Sequence, residues 1–228
     1  MLNCNNNNMS TKKWSQKVCE TVLPVLDEIN SHPFIVELMK GTLDPKKFGF
    51  YIQQDTLYLG VYGKILGGIA EKLEKPEYKK AFFSFAEDSV YVEKSMHEVY
   101  KETLQMEDAD KKSPSCTLYT SFLESCFYTK PIEVAVSSVL PCFWIYLKVG
   151  EYLVANQTKE KNPYQDWINT YSGDEFAKSV DYVLDIADDL ASKCDKRTVD
   201  QMTDAFILAS NMEYMFWDSA YKQEKWIL

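Results

Sequence analysis

The chain has 228 residues, 46% of them hydrophobic and 14% aromatic, and can therefore bury a sizeable core without disulfides or structural metals. Its formal net charge of −9, from 25 basic and 34 acidic side chains, disfavours binding to nucleic acid and to anionic membrane surfaces. The six cysteines form no C-x-x-C pair and no signal peptide precedes them, so we expect reduced thiols, no metal site and a cytoplasmic location.

The pattern of apolar residues predicts an all-α protein. The chain has only eight glycines and eight prolines, and the long segments between them show helical periodicity, not strand-like alternation. We expect a disordered, Asn-rich tail at residues 1–10 and a single helical domain over 11–228. Short connections between the helices favour a compact bundle. The predicted helices span residues 11–30, 45–74, 77–104, 115–128, 131–156, 163–171, 174–192 and 196–222.

The second predicted helix contains one isolated charge. In FGFYIQQDTLYLGVYG, residues 48–63, Asp55 is the only charged residue, and Tyr58 and Tyr62 follow on the same helical face. Burying a bare carboxylate is costly unless it is paired. Asp55 is therefore either hydrogen-bonded to tyrosine hydroxyls as a packing device or part of a functional site.

The fifth predicted helix contains a thiol within an uncharged stretch, VAVSSVLPCFWIYL, residues 134–147. The stretch is too short and too Pro-interrupted to span a bilayer, so we expect it at the centre of the bundle. Pro141 is expected to kink the helix near Ser137. Cys142 directly follows this proline, and Tyr146 lies one turn after Cys142 on the same helical face. Cys142 either faces a pocket opened by the kink or is a buried core cysteine beside a structural proline.

The last predicted helix contains an isolated acid, Glu213, in AFILASNMEYMFW, residues 205–217. Phe216 and Trp217 flank its face, and an aromatic environment favours the neutral carboxyl and so raises its pKa. Such a glutamic acid can act as a general acid near neutral pH. The alternative is an interhelical salt bridge.

Together these residues predict one site with a thiol, two carboxyls and several aromatic rings. A catalytic cysteine usually has a histidine partner. The two histidines, His32 and His97, are not embedded in comparable apolar segments. The sequence therefore favours carboxyl-assisted cysteine chemistry over a Cys–His site of the protease type.

Six segments, in order, resemble the TenA family, also called thiaminase II or aminopyrimidine aminohydrolase. The resemblance extends from about Trp14 to Tyr221, and L-P-C-x-W at residues 140–144 matches the cysteine-containing branch. One departure is Phe143, where the family often has proline or a small residue. The segments are HPFIVELMKGTL (32–43), FYIQQDTLYL (50–59), CTLYTSFL (116–123), LPCFWIYLKVG (140–150), WINTYSGDEF (167–176) and EYMFWDSAY (213–221).

The resemblance implies a fold, an assembly and a reaction. The fold is a helical bundle of the haem-oxygenase-like type, the assembly is a homotetramer, and no cofactor is required. The reaction converts 4-amino-5-aminomethyl-2-methylpyrimidine, and thiamine as well, to the 5-hydroxymethyl pyrimidine in thiamine salvage.

The resemblance also implies roles for individual residues. Cys142 matches the nucleophile that adds to the pyrimidine ring, and Glu213 matches the acid/base that serves the leaving amine and then water. Asp55 matches the carboxylate that binds the ring nitrogen and amino group and supports the thiol. The matches to the aromatic and hydroxyl lining of the ring are Tyr58, Tyr119, Tyr146, Tyr171 and Phe216.

Two other functions remain open on the sequence. One is a non-catalytic protein that binds or presents pyrimidines. The other is an oxygenase with a haem or a di-iron centre. A haem iron needs one axial histidine, for which His32 is the candidate. A di-iron centre usually needs two E-x-x-H motifs, and Glu93 and His97 do not form one because they are four residues apart.

Overall fold

The computed structural model describes residues 12–104, 109–158 and 161–227, with the backbone alone for 92–98. The tail expected at residues 1–10 lies outside the described residues. Within those ranges the chain forms ten α-helices and no strand, which confirms the all-α prediction. The helices are α1 (Trp14–Thr21), α2 (Leu23–Ser31), α3 (Pro33–Lys40), α4 (Pro45–Lys72), α5 (Pro76–Leu104), α6 (Pro114–Thr129), α7 (Ile132–Asn156), α8 (Gln165–Tyr171), α9 (Asp174–Ala191) and α10 (Lys196–Lys222).

The predicted helix at 11–30 is wrong, because this segment forms two helices. α1 ends at Thr21, and α2 begins at Leu23 with Pro24 in its first turn. Pro24 has no N–H to donate to the preceding turn, and its ring clashes with the carbonyl four residues earlier. A helix therefore stops before this proline and a new one begins with it.

Helix α3 was not predicted, although its boundaries carry local signals. His32 caps its N-terminus, since the ring nitrogen Nδ1 accepts a hydrogen bond of 3.1 Å from the Phe34 N–H. Pro33 occupies the first helical position, where its missing N–H has no cost. Gly41 ends the helix with a φ of 68°, a left-handed conformation that favours glycine.

Helix α7 lies at the centre of the bundle and packs against α2, α3, α4, α6, α8, α9 and α10. By length and composition it could cross a membrane, but 78% of its most apolar window is buried against other helices. It is therefore a core helix, as predicted. The helix continues through Pro141, and the kink expected near Ser137 stays a prediction. The Ser137 hydroxyl donates a hydrogen bond to the Met202 carbonyl on α10, which ties the two helices together.

Helix α7 approaches the end of α8 closely at Gly150. A Cβ added there would lie 2.6 Å from the Tyr171 carbonyl oxygen and 2.7 Å from its carbonyl carbon. Both are backbone atoms, which cannot rotate away as a side chain could. Glycine at this position therefore sets the position of Tyr171.

Replacement of Gly150 by alanine is expected to destabilise the protein by about 1–3 kcal/mol, since overpacked cores typically cost that much. Urea unfolding of the purified variant measures this change. Gly67→Ala is the matched control, because a Cβ at this helical glycine meets no atom within 4 Å. Equal stability of the two variants would show that the close approach at Gly150 has no energetic consequence.

Candidate active site

A cavity of about 100 Å³ lies between α4, α5, α7 and the α8–α9 segment. It is several times larger than a single water needs, roughly 10–15 Å³ by a comparable measure. Four of the eight predicted site residues line it: Asp55, Cys142, Tyr146 and Tyr171. The structure thus brings the thiol and one of the two predicted carboxylates into a shared cavity.

The other four predicted residues are buried but do not line the cavity. Tyr58 stacks on Tyr62, which does line it, with ring centroids 5.4 Å apart. Tyr119 and Phe216 lie 4.9 Å and 5.7 Å from the Tyr58 ring. Glu213, only 2% exposed, is held in this group by a hydrogen bond of 2.7 Å from the Tyr119 hydroxyl. These four side chains therefore back the cavity from α4, α6 and α10.

The environment of Glu213 strongly favours its protonated form. Burial is the main cause that raises the pKa of this carboxyl to about 8; the hydrogen bond from Tyr119 lowers the pKa, and the charge of Asp55 adds a smaller increase. In the described part of the chain Glu213 has no basic partner in an ion pair, which argues against the salt-bridge interpretation. The expectation of a raised pKa is confirmed, and the side chain is mostly a proton donor at neutral pH.

Glu213 should make the wild-type protein less stable as the pH rises from about 4.5 to about 8. Over this window the unfolded chain loses the proton of this carboxyl while the folded chain keeps it, so the free energy of unfolding decreases. Glu213→Gln removes this dependence. We expect its stability relative to wild type to increase by up to about 1.4 kcal/mol per pH unit across the window. Urea unfolding at several pH values measures the difference, and parallel pH profiles would contradict the assignment.

The surroundings of Cys142 favour the neutral form of its thiol. Burial is the main cause that raises its pKa well above the ordinary value, and the nearby carboxyls of Glu213 and Asp55 raise it further. Neighbouring tyrosine hydroxyls, those of Tyr58 and Tyr62, oppose this only in part. Because the thiolate is the reactive form, the proton of Cys142 must leave during an attack.

Asp55 occupies a central position in this group. It is 2% exposed and lines the cavity, and its charge raises the pKa of Cys142, Glu213 and Tyr171. An effect on three groups from three different helices requires that all of them lie near one carboxylate. Asp55 therefore lies close both to the cavity and to Glu213, the buried acid behind it.

Tyr51 is a site residue that the sequence analysis missed. Its hydroxyl lies 3.2 Å from the Tyr146 hydroxyl and accepts a hydrogen bond of 3.3 Å from Trp167 Nε1. Its ring stacks on Trp217 with centroids 5.1 Å apart. A signal was available, because Tyr51 precedes Asp55 by four residues and so shares its helical face. Tyr51 fixes the orientation of the Tyr146 hydroxyl at the cavity wall.

The cavity wall formed by α5 and α9 was also missed. Phe85, Asp88 and Ser89 line it from α5, and Phe176 and Ser179 from α9. These residues alternate with charged, solvated positions, so the sequence gives no local sign that they face a cavity.

His32 is not part of this group. His32 is buried at the start of α3, where Nδ1 accepts from Phe34 and Nε2 lies 3.5 Å from Asp218. Both ring nitrogens are thus engaged, which leaves no ligand atom for a haem iron. The side chains of Glu93 and His97 lie outside the described residues. Among the residues that are described, no three His, Cys, Asp or Glu side chains form a group that could hold a metal ion.

Relatives of known name match this chain over most of its length. The aminopyrimidine aminohydrolase of Bacillus subtilis is 30% identical over 200 residues, which cover 86% of this chain and 84% of the relative. The aminopyrimidine aminohydrolase of Helicobacter pylori is 30% identical over 215 residues, which cover 91% and 98%.

Solved structures match the fold as well. A TenA homologue from P. horikoshii OT3 is 27% identical and superposes with a TM-score of 0.77, over 92% of this chain and 99% of the homologue. A Shewanella denitrificans domain described as having a heme oxygenase-like fold superposes with a TM-score of 0.62 at 15% identity, over 91% and 92% of the two chains. The second match bears on the fold alone and confirms the haem-oxygenase-like bundle.

The family description that matches is TENA/THI-4/PQQC, and its match extends from residue 20 to residue 223. This range includes α2 to α10 and every residue of the cavity and of the group behind it. The chain belongs to the TENA/THI-4/PQQC family.

Proposed function

We propose that this protein is an aminopyrimidine aminohydrolase, or thiaminase II. It hydrolyses 4-amino-5-aminomethyl-2-methylpyrimidine to the 5-hydroxymethyl pyrimidine and ammonia, and it cleaves thiamine at the same methylene carbon. Relatives from two bacteria carry this name at 30% identity over most of the chain. The observation that carries the proposal is the placement of Cys142 and Asp55 on one cavity, with protonated Glu213 directly behind it.

The cavity suits a small, flat, polar heterocycle. The rings of Tyr146 and Tyr171, with centroids 4.8 Å apart, provide aromatic surface for the pyrimidine. Tyr58, Tyr119 and Phe216 support this wall from behind. Among the described residues that line the cavity, Asp55 is the one buried carboxylate, and we assign to it the hydrogen bonds to the ring nitrogen and the 4-amino group.

The reaction proceeds in two halves that return every group to its starting state. The Cys142 sulfur adds to a ring carbon, and the π electrons of that carbon's double bond move onto a ring nitrogen. The thiol proton, which the surroundings of Cys142 favour, passes to Asp55 in this step. The carbon–nitrogen bond at the methylene then breaks, and Glu213 gives its proton to the leaving amine, which departs as ammonia. Water adds to the methylene carbon and returns a proton to Glu213. The sulfur leaves the ring and recovers its proton from Asp55.

The second candidate is a protein that binds pyrimidines without converting them. The two functions are separated by incubation with the aminomethyl pyrimidine, with ammonia and the hydroxymethyl pyrimidine both measured. An aminohydrolase releases them in equal amounts over many turnovers. Micromolar binding without either product would refute the hydrolase and favour the binder.

The remaining proposals concern the setting of the enzyme. We propose that residues 11–228 act as a single catalytic domain without a cofactor, as a cytoplasmic homotetramer. The resemblance to the family supports the tetramer, and the net charge of −9 supports the absence of nucleic-acid and membrane partners.

A further inference from the structure

The cavity has a deep end and a solvent-facing end. Asp55 and Tyr146 are 2% and 4% exposed and mark the deep end. Asp88 on α5 is exposed, and Phe176 and Ser179 on α9 are half-buried, although all three line the same cavity. The mouth therefore lies between α5 and α9.

The mouth is negatively charged. Asp88 has no cationic partner among the described side chains, and the nearest charge that affects it is the adjacent Glu87. Burial at the rim, and to a smaller extent the charge of Glu87, raise the pKa of Asp88. Within the described residues no basic side chain lines the cavity at all.

The proposed function places the pyrimidine ring at the deep end beside Asp55 and the scissile bond near Glu213, so the far part of a large leaving group, such as the thiazole portion of thiamine, extends from there toward the mouth. In thiamine this leaving group is a permanently cationic thiazolium. A carboxylate at the mouth attracts this cation. The same carboxylate repels a phosphate monoester, which carries a charge of about −1.5 to −2 at neutral pH.

We propose that Asp88 is a specificity-determining residue at the cavity mouth, which favours substrates with positive charge there and disfavours those that carry a phosphate ester. This inference rests on the proposed aminopyrimidine hydrolase function. Asp88 plays no part in bond breaking, since its carboxylate lies at the solvent-facing end, away from the buried acid.

The test compares thiamine with thiamine monophosphate, which share the pyrimidine and the scissile bond and differ in the phosphate. In wild-type protein kcat/KM should be higher for thiamine. Asp88→Asn should reduce this preference by about 2- to 5-fold, the size typical of one exposed charge interaction. Added salt should shrink the wild-type preference, because the mouth is solvent-exposed.

Glu87→Gln is the matched control, because it removes an equal charge one residue away that does not line the cavity. It should change the preference by less than about 2-fold, as expected for a screened surface charge. An unchanged preference in Asp88→Asn, or an equal shift in Glu87→Gln, would overturn the role of Asp88.

A binding measurement separates this inference from the proposed function. If the wild-type protein hydrolyses neither compound nor the aminomethyl pyrimidine, the hydrolase proposal fails. The dissociation constants of thiamine and its monophosphate, from quenching of intrinsic fluorescence, then decide the role of Asp88. The ratio to compare is the dissociation constant of the monophosphate divided by that of thiamine. A lower ratio in Asp88→Asn than in wild type supports the role of Asp88, and an equal ratio refutes it.

Discussion

Replacement of Cys142 by alanine is expected to lower kcat by at least about 1,000-fold, the scale seen when a covalent nucleophile is removed. Without the sulfur, no covalent bond to the ring forms and the amine has no path to depart. Binding should persist, because Asp55, Tyr146 and Tyr171 still line the cavity. Steady-state release of ammonia measures kcat, and fluorescence titration measures binding.

Cys126→Ala is the matched control for this prediction. Cys126 is a free cysteine like Cys142, but it is 4% exposed where Cys142 is half-buried, and it belongs to a separate small cluster with Val134, Ala191, Met202 and Ala205. Its replacement should leave kcat unchanged despite a modest loss of stability. Full activity in Cys142→Ala would eliminate the covalent mechanism, whereas equal losses in both variants would point to a folding defect.

Replacement of Glu213 by glutamine is expected to lower kcat/KM by about 100- to 10,000-fold, the usual contribution of a general acid. Glutamine keeps the size of the side chain and the contact with Tyr119, but it cannot give a proton to the leaving amine. The pH profile is the sharper observation. In wild-type protein kcat/KM should decrease above pH about 8, where Glu213 loses its proton, and this decrease should be absent in the variant.

Tyr119→Phe tests the same assignment without removal of the acid. The Tyr119 hydroxyl donates to the Glu213 carboxylate and lowers its pKa, so loss of the hydroxyl should raise that pKa. The decrease in kcat/KM should then move to higher pH. A profile identical to wild type in both variants would show that another group controls the alkaline decrease.

The site could be predicted from the sequence where buried charge leaves a local signature. Asp55 and Glu213 are each the only charged residue in a long apolar-aromatic segment. Because burying a carboxylate is costly, a charge isolated in this way indicates a functional role. Cys142 was visible because it follows a proline within an uncharged helix. All three lie in or directly behind one cavity, although their spacing along the chain gives no information about this.

The residues at the cavity mouth could not be predicted in the same way. Asp88 and Ser179 are polar residues on helices with solvated faces, and nothing local distinguishes them from surface positions. Their role depends on the packing of α5 and α9 beside α7, which is a tertiary property. Tyr51 is an intermediate case, since its helical face was predictable but its contact with Tyr146 was not.

For the fold, too, features with a strong local sequence signal were predicted, and features with a weak one were missed. Most helix boundaries follow from prolines and apolar periodicity, which act locally. The two errors, the break at Val22 and the omission of α3, concern short helices for which periodicity is weak. In both cases the prolines at positions 24 and 33 provided a usable signal.

A crystal structure of the Cys142→Ser variant with bound 4-amino-5-aminomethyl-2-methylpyrimidine tests the central claim most directly. We predict that the ring lies in the cavity against Tyr146 and Tyr171, with Asp55 at hydrogen-bond distance from its nitrogen or amino group. The hydroxyl at position 142 should contact a ring carbon. A pyrimidine bound elsewhere on the protein, or a ring out of reach of both Asp55 and position 142, would contradict the proposed site.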